Sequence, residues 1–362
     1  MLSQPEILAL GYLPGMTSSA LRALVESGVY FREVIIAPDE DLAALGLRRT
    51  ALSAIRAPEP YMERAVEQIG LAAKFGAAIV QFWDDRYPDA LRQIYAPPIT
   101  LYVKGEIQEG DSRAIAIVGT RGATVYGRLT AEKYAERCAA AGVTVVSGLA
   151  RGIDTYAHAA AMRAGGRTIA VIASGLDTIQ PAISAGLAER IREHGAVISE
   201  YPFGVKALRP YFPQRNRIVS GMSAGTVVVE SDERGGAMIT AGFALDQGRE
   251  VFAVPGPISS PKSRGTNQLI RTDRARLTQS PEDLLDAVGY HIPTSAVSGA
   301  EPMQDLSLFE QQIYDVLSGE PLHVDVICDA TEMASNEVLV NLLSLEFKGL
   351  VRQMAGKMFL RG

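Results

Sequence analysis

Cysteine is scarce in this chain: among 362 residues there are two, Cys138 and Cys328, far apart and near no metal-spaced partner. That pattern predicts separate thiols in a reducing compartment and excludes a disulfide framework. The four histidines form no HExxH or other ligand spacing, so no metal site is expected. No apolar run reaches the roughly 18 residues that a membrane span needs. The opening stretch, MLSQPEILALGYLPGM, lacks a basic start, a long apolar core and a small-residue cleavage site. It leads to the expectation of no signal peptide and a cytoplasmic location.

Net positive charge is missing too. A formal charge of −6 ordinarily weighs against a polyanionic ligand. The charge is uneven, however. From Asp111 to Asp286 there are 21 Lys/Arg and 17 Asp/Glu, whereas the rest of the chain holds 14 and 24. The middle is therefore the candidate for an anionic ligand, and the ends are not.

What is present is α/β patterning. The segments Ile115–Val118, Val143–Ser147, Thr168–Ala173, Ala196–Ser199, Thr226–Glu230 and Glu250–Val254 are apolar and β-branched. Helix-length patterns at Gly127–Ala141, Thr155–Ala164, Ile183–His194, Arg215–Met222 and Ala237–Gln247 separate them. This alternation predicts an extended Rossmann-like, doubly wound, mostly parallel sheet over 61–290, with a ligand edge at the strands' carboxyl ends. An earlier strand is expected at Ala77–Gln81. Residues 1–60 contain two similar pieces, LPGMTSSALRAL from Leu13 and LGLRRTALSAI from Leu45. Each has a glycine turn and an amphipathic helix, as in SAM-like or helix-hairpin-helix domains; a plain helical bundle with glycine caps fits equally. Residues 291–305 read as a linker. Three helices and a hairpin over 306–362 make a winged-helix domain.

Four motifs fall at predicted strand ends. The first, IAIVGTRGAT from Ile115, invites comparison with the dinucleotide fingerprint but breaks it, because Arg121 stands where a glycine must let a pyrophosphate approach. An arginine beside turn amides suits a single phosphate instead. The second, VSGLARGIDTYAH from Val146, supplies Ser147, Gly148 and a helix start. Ser147, Asp154 and His158 suggest a catalytic triad, yet there is no G-x-S-x-G elbow, and an Asp–His pair at a helix start is more often a cap. The third, YFPQRNRIVSG from Tyr211, places Phe212, Arg215, Asn216 and Arg217 at a helix start. Cations beside an aromatic ring suit a single strand, where a ring stacks a base. The fourth, VESDERGGAMITAG from Val229, brings Gly236 to another helix start; Glu230 is expected to hold an arginine of the same edge. Lys262 and Arg264 extend that edge. No paired acids or nucleophile–base set accompanies these cradles, so no catalytic residue, cofactor or enzymatic activity is expected.

Taken together, IVGTR from Ile117, SGLARGID from Ser147 with His158, FPQRNRI from Phe212, GGAMITA from Gly235 and GREVFAVPG from Gly248 resemble the DNA-processing protein A family (DprA, also called Smf). The resemblance spans nearly the whole chain. It implies binding and protection of single-stranded DNA, loading of the RecA recombinase in natural transformation and homologous recombination, and a homodimer formed through the Rossmann domain. The family's DNA pocket maps onto Arg121, Ser147, Gly148, Phe212, Arg215, Asn216, Arg217 and Gly236. Two stretches depart from the family. TIQPAIS from Thr178 replaces a usual Tyr-Pro and nearby Asn, and Met16-Thr17 stands where a second glycine is common. The alternative is a nucleotide phosphoribohydrolase-like Rossmann enzyme. Its P-G-G-x-G-T-x-x-E signature is incomplete here, since RGGAMITAGF from Arg234 lacks the preceding proline and the later glutamate.

Overall fold

The run Ala114–Val118 is buried at every position, as a strand covered by helices on both faces must be. It is one of nine in a single sheet: β1 (Ala77–Gln81), β2 (Thr100–Gly105), β3 (Ala114–Val118), β4 (Thr144–Ser147), β5 (Thr168–Val171), β6 (Gly195–Ser199), β7 (Gly225–Val228), β8 (Glu250–Ala253) and β9 (Arg276–Leu277). The computed structural model describes residues 2–290, 306–347 and 350–361. Strand order is β1-β2-β6-β5-β4-β3-β7-β8-β9. Pairing from β6 through β9 is parallel, while β1–β2 and β2–β6 are antiparallel.

The doubly wound, mostly parallel sheet is thus as expected. The antiparallel edge was not distinguishable in sequence, where β1 and β2 read like any other apolar run. The order has one consequence for ligands. From β3 the chain winds through β4, β5 and β6 on one side, then returns to place β7, β8 and β9 on the other. The carboxyl end of β3 is therefore the switch point at which such sheets open a crevice.

Residues Met1–His291 form one compact unit and Ile292–Gly362 another. In the first, five helices (Gln4–Gly11, Ser18–Glu26, Phe31–Ile36, Asp39–Ala44 and Arg49–Ile55) precede the helix Glu59–Lys74 that leads to the sheet. The two similar pieces pack on each other. A side chain on Gly15 (φ +79°) would meet Thr50 Oγ1 at 2.4 Å, and one on Gly46 (φ +90°) would lie 3.7 Å from Ala20. Where the family's second turn glycine is absent, Thr17 caps the helix Ser18–Glu26, accepting from the Ala20 amide at 3.1 Å. Leu13, Leu21, Leu24 and Ile55 join the same apolar core as the sheet residues Val103 and Val118. Treating 1–60 as a separate domain is accordingly a proposal about folding rather than packing.

The second unit has helices Leu308–Val316, Val324–Thr331 and Ser335–Phe347. A three-stranded antiparallel sheet joins them, with β10 (Leu322–His323), β11 (Val351–Met354) and β12 (Met358–Arg361) in the order β10-β12-β11. Ile313, Ile327, Val338, Leu342 and Phe359 fill its core. This is the expected winged helix. The linker read at 291–305 lies outside the described residues. Among the described residues, no helix is long and apolar enough to cross a membrane.

Candidate nucleic-acid interface

At the switch point, the ends of β3, β4 and β7 and the starts of three helices enclose a cavity of about 520 Å³. Helix Ile153–Arg163 contributes Asp154, helix Tyr211–Gly221 contributes Phe212, Pro213, Arg215 and Asn216, and helix Gly236–Asp246 contributes Gly236, Ala237 and Thr240. Amides of a helix's first turn have no partner within the helix, and the aligned peptide dipoles favour an anion there. Three helix starts around one space make it suitable for phosphate oxygens.

Arg121, on the exposed loop after β3, lines this cavity with its guanidinium 5.6 Å from the centre of the half-buried Phe212 ring. Lys262 reaches the same loop, its Nζ 3.4 Å from Thr120 Oγ1. Arg264, exposed, begins the following helix, Arg264–Arg271. Asn216 Nδ2 lies 3.5 Å from the Gly236 carbonyl, a distance too long for a firm hydrogen bond. Gly236 is exposed, and open space lies where a Cβ would stand.

Arg215 sits beneath this surface. It is 5% exposed, and its guanidinium donates to the carbonyls of Gly148 and Val171. The approach is so close that a side chain on Gly148 would lie 2.4 Å from the guanidinium nitrogen, so the glycine makes room for the arginine. Beside it, Asp154 accepts the amides of Gly148 (3.1 Å) and Ala150 (3.3 Å). Burial pushes the Asp154 carboxyl above its ordinary range, against the pull of Arg215. Burial likewise pushes Arg215 down to about 10, with Asp154 opposing and Arg121 adding to the shift. Leu149, between them, holds a left-handed backbone (φ +55°) that branched residues rarely adopt; complete burial of its side chain keeps it there.

The residues that suggested a triad make other bonds. Ser147, fully buried, donates to the Ile117 carbonyl at 2.6 Å. His158 Nδ1 lies 2.6 Å from Thr168 Oγ1, whose own proton goes to the Val145 carbonyl. Nδ1 is therefore the donor, and Nε2 is left buried without a partner. Burial first, and Arg215 second, push His158 down to about 3, so it is neutral at ordinary pH.

Arg217 lies outside the cavity. It forms a two-pronged pair with Glu200 (2.7 and 2.9 Å) and donates to the Ala96 carbonyl. Glu230 does not hold an arginine, contrary to expectation. It accepts the Thr124 amide at 2.9 Å and the Thr124 hydroxyl, fixing the start of helix Val125–Ala140; Gly127 leaves the room it needs. Sequence reasoning passed over Arg209, Ser231 and Asp232 as lining residues. Arg209 was detectable as a member of the basic run from Lys206 to Arg217, and Ser231 and Asp232 lie inside the motif that starts at Val229, where only Gly236 and Glu230 were assigned a role.

Fold and crevice define a class: a doubly wound α/β protein with a phosphate-suited switch-point crevice, joined to a winged helix. The family model for DNA recombination-mediator protein A matches residues 78–289, and that for the DprA winged helix domain matches 299–357. The chain belongs to the DNA recombination-mediator protein A family. It is 40% identical to Protein Smf of Escherichia coli strain K12, over 75% of this chain and 74% of that one. It is 39% identical to the DNA processing protein DprA of Bacillus subtilis, over 67% and 76%. The solved structure of DprA from Streptococcus pneumoniae superposes with a TM-score of 0.67 at 33% identity, covering 80% of this chain and 99% of the other. DNA processing protein A from Helicobacter pylori, solved for its single-stranded DNA binding mode, gives 0.54 at 26% identity, over 59% and 96%.

Proposed function

We propose that this chain binds single-stranded DNA in the switch-point crevice, protects it and loads RecA onto it, serving homologous recombination and natural transformation. It would act in the cytoplasm as a homodimer formed through the Rossmann domain. The observation that carries the DNA reading is Arg121 set over Phe212 in a cavity walled by three helix starts. A cation and a ring side by side match the alternating phosphate and base of a single strand, and a duplex hides the base faces. The Helicobacter pylori relative's single-stranded DNA binding supports the same ligand.

Within the proposed site, Arg121, Phe212, Asn216, Gly236, Lys262 and Arg264 touch the strand. Ser147, Gly148 and Arg215 build its floor, and Arg217 anchors the helix that presents Phe212. A gel shift with single-stranded DNA, challenged by duplex DNA and by mononucleotides, tests the reading. Single strands should compete far better than either; preferential competition by duplex would refute it.

A further inference from the structure

A second cavity, of about 420 Å³, lies between the N-terminal helices and the β2–β6 side of the sheet. Its wall is unusually aromatic. Tyr201 and Tyr211 stack with ring centres 4.3 Å apart and planes 23° from parallel. Across from them the exposed Arg64 lies 4.4 Å from the centre of the Tyr12 ring, whose hydroxyl meets that of buried Tyr102 at 2.7 Å. Glu200 also lines the space, but its charge is matched by Arg217, so Arg64 carries the cavity's positive charge. Ring faces with a nearby arginine are the chemistry that holds unpaired bases and their phosphates.

The cavity neighbours the crevice along the chain. Tyr211 and Phe212 are the first two residues of helix Tyr211–Gly221. Consecutive helical side chains point about 100° apart; here Tyr211 faces the aromatic cavity and Phe212 the crevice.

We infer that this cavity is a second subsite for single-stranded DNA, taking a base against the Tyr201–Tyr211 pair and a phosphate on Arg64. The inference rests on the crevice being the primary site. It assigns the N-terminal helices a direct part in binding, through the wall they share with the sheet.

The test is fluorescence anisotropy of the full chain with oligothymidylates of about 4 to about 16 nucleotides, the span of single-strand site sizes. Wild type is compared with Tyr201→Leu and Arg64→Gln. Tyr201 packs on Tyr211, so the exposed Arg64 provides the structurally milder variant. The shortest oligomers should bind all three alike. Lengthening should raise wild-type affinity by roughly tenfold beyond the purely statistical gain, and both variants should lose that step. Equal length dependence in all three proteins would overturn the inference while leaving the crevice in place. Failure of wild type to bind any single strand would overturn the crevice reading first, and this one with it.

Discussion

The crevice and the winged helix handle charge in opposite ways. In the crevice, Arg121 stands exposed over a ring, and Arg215 lies buried beneath it, held by the carbonyls of Gly148 and Val171. In the winged helix, the third helix, Ser335–Phe347, has no lysine or arginine and exposes Leu339, Val340 and Leu343. A nucleic-acid reader needs cations where the ligand lies; in the winged helix Arg352, Lys357 and Arg361 stand on the hairpin rather than on the third helix. The comparison also shows that a count of arginines misleads. Arg215 and Arg217 share one helix, yet one is buried and the other is paired with Glu200; the exposed cations lining the crevice, Arg121 and Arg209, stand on loops instead.

The largest effect that would sharpen this contrast is on stability. Arg215→Ala should destabilise the first unit by about 1–3 kcal/mol or more, because it removes the buried donor held by the Gly148 and Val171 carbonyls. Chemical denaturation measures this, and a loss below about 1 kcal/mol would mean that the arginine is not part of the framework. Acid should act in the same region. His158 is neutral and buried, so its native pKa of about 3 lies below the ordinary 6.5. The unfolded chain then binds the extra proton, and stability falls as pH drops from 6.5 toward 3, by up to about 1.4 kcal/mol per unit. Thermal unfolding of His158→Gln across that range should show a shallower decline than wild type.

Binding changes come next. Phe212→Ala should weaken single-strand affinity by about 1–3 kcal/mol with an unaltered salt slope, since stacking releases no counterions. Arg121→Ala should lower the log–log salt slope by about 0.7, the value for one phosphate on a single strand, and leave stability nearly unchanged. The smallest effect breaks the comparison if it is not small: Lys357→Ala, in the winged-helix hairpin, should change neither affinity nor salt slope.

Much of the fold was legible because burial on both faces demands uninterrupted apolar runs, as in Ala114–Val118. The two-residue strand β9 carried no such run. Helix Tyr211–Gly221 starts four residues before the expected Arg215. Pro213 falls in its first turn, where an amide would lack a partner anyway, so the proline permits the helix instead of delaying it. The motifs located the crevice, because each follows a strand and precedes a helix. The roles inside it were not legible. Arg215 is buried because Gly148, 67 positions earlier, leaves room for its guanidinium. Arg217 is paired because Glu200 comes from the end of another strand. Such matches form only once the sheet has set the register.

The central claim is that a single strand lies against Phe212. Photocrosslinking the full chain to an oligonucleotide carrying 5-iodouracil, followed by peptide mapping, tests it most directly. The crosslink should fall on the peptide containing Phe212 and disappear in Phe212→Leu; a crosslink confined to the winged helix would contradict the account.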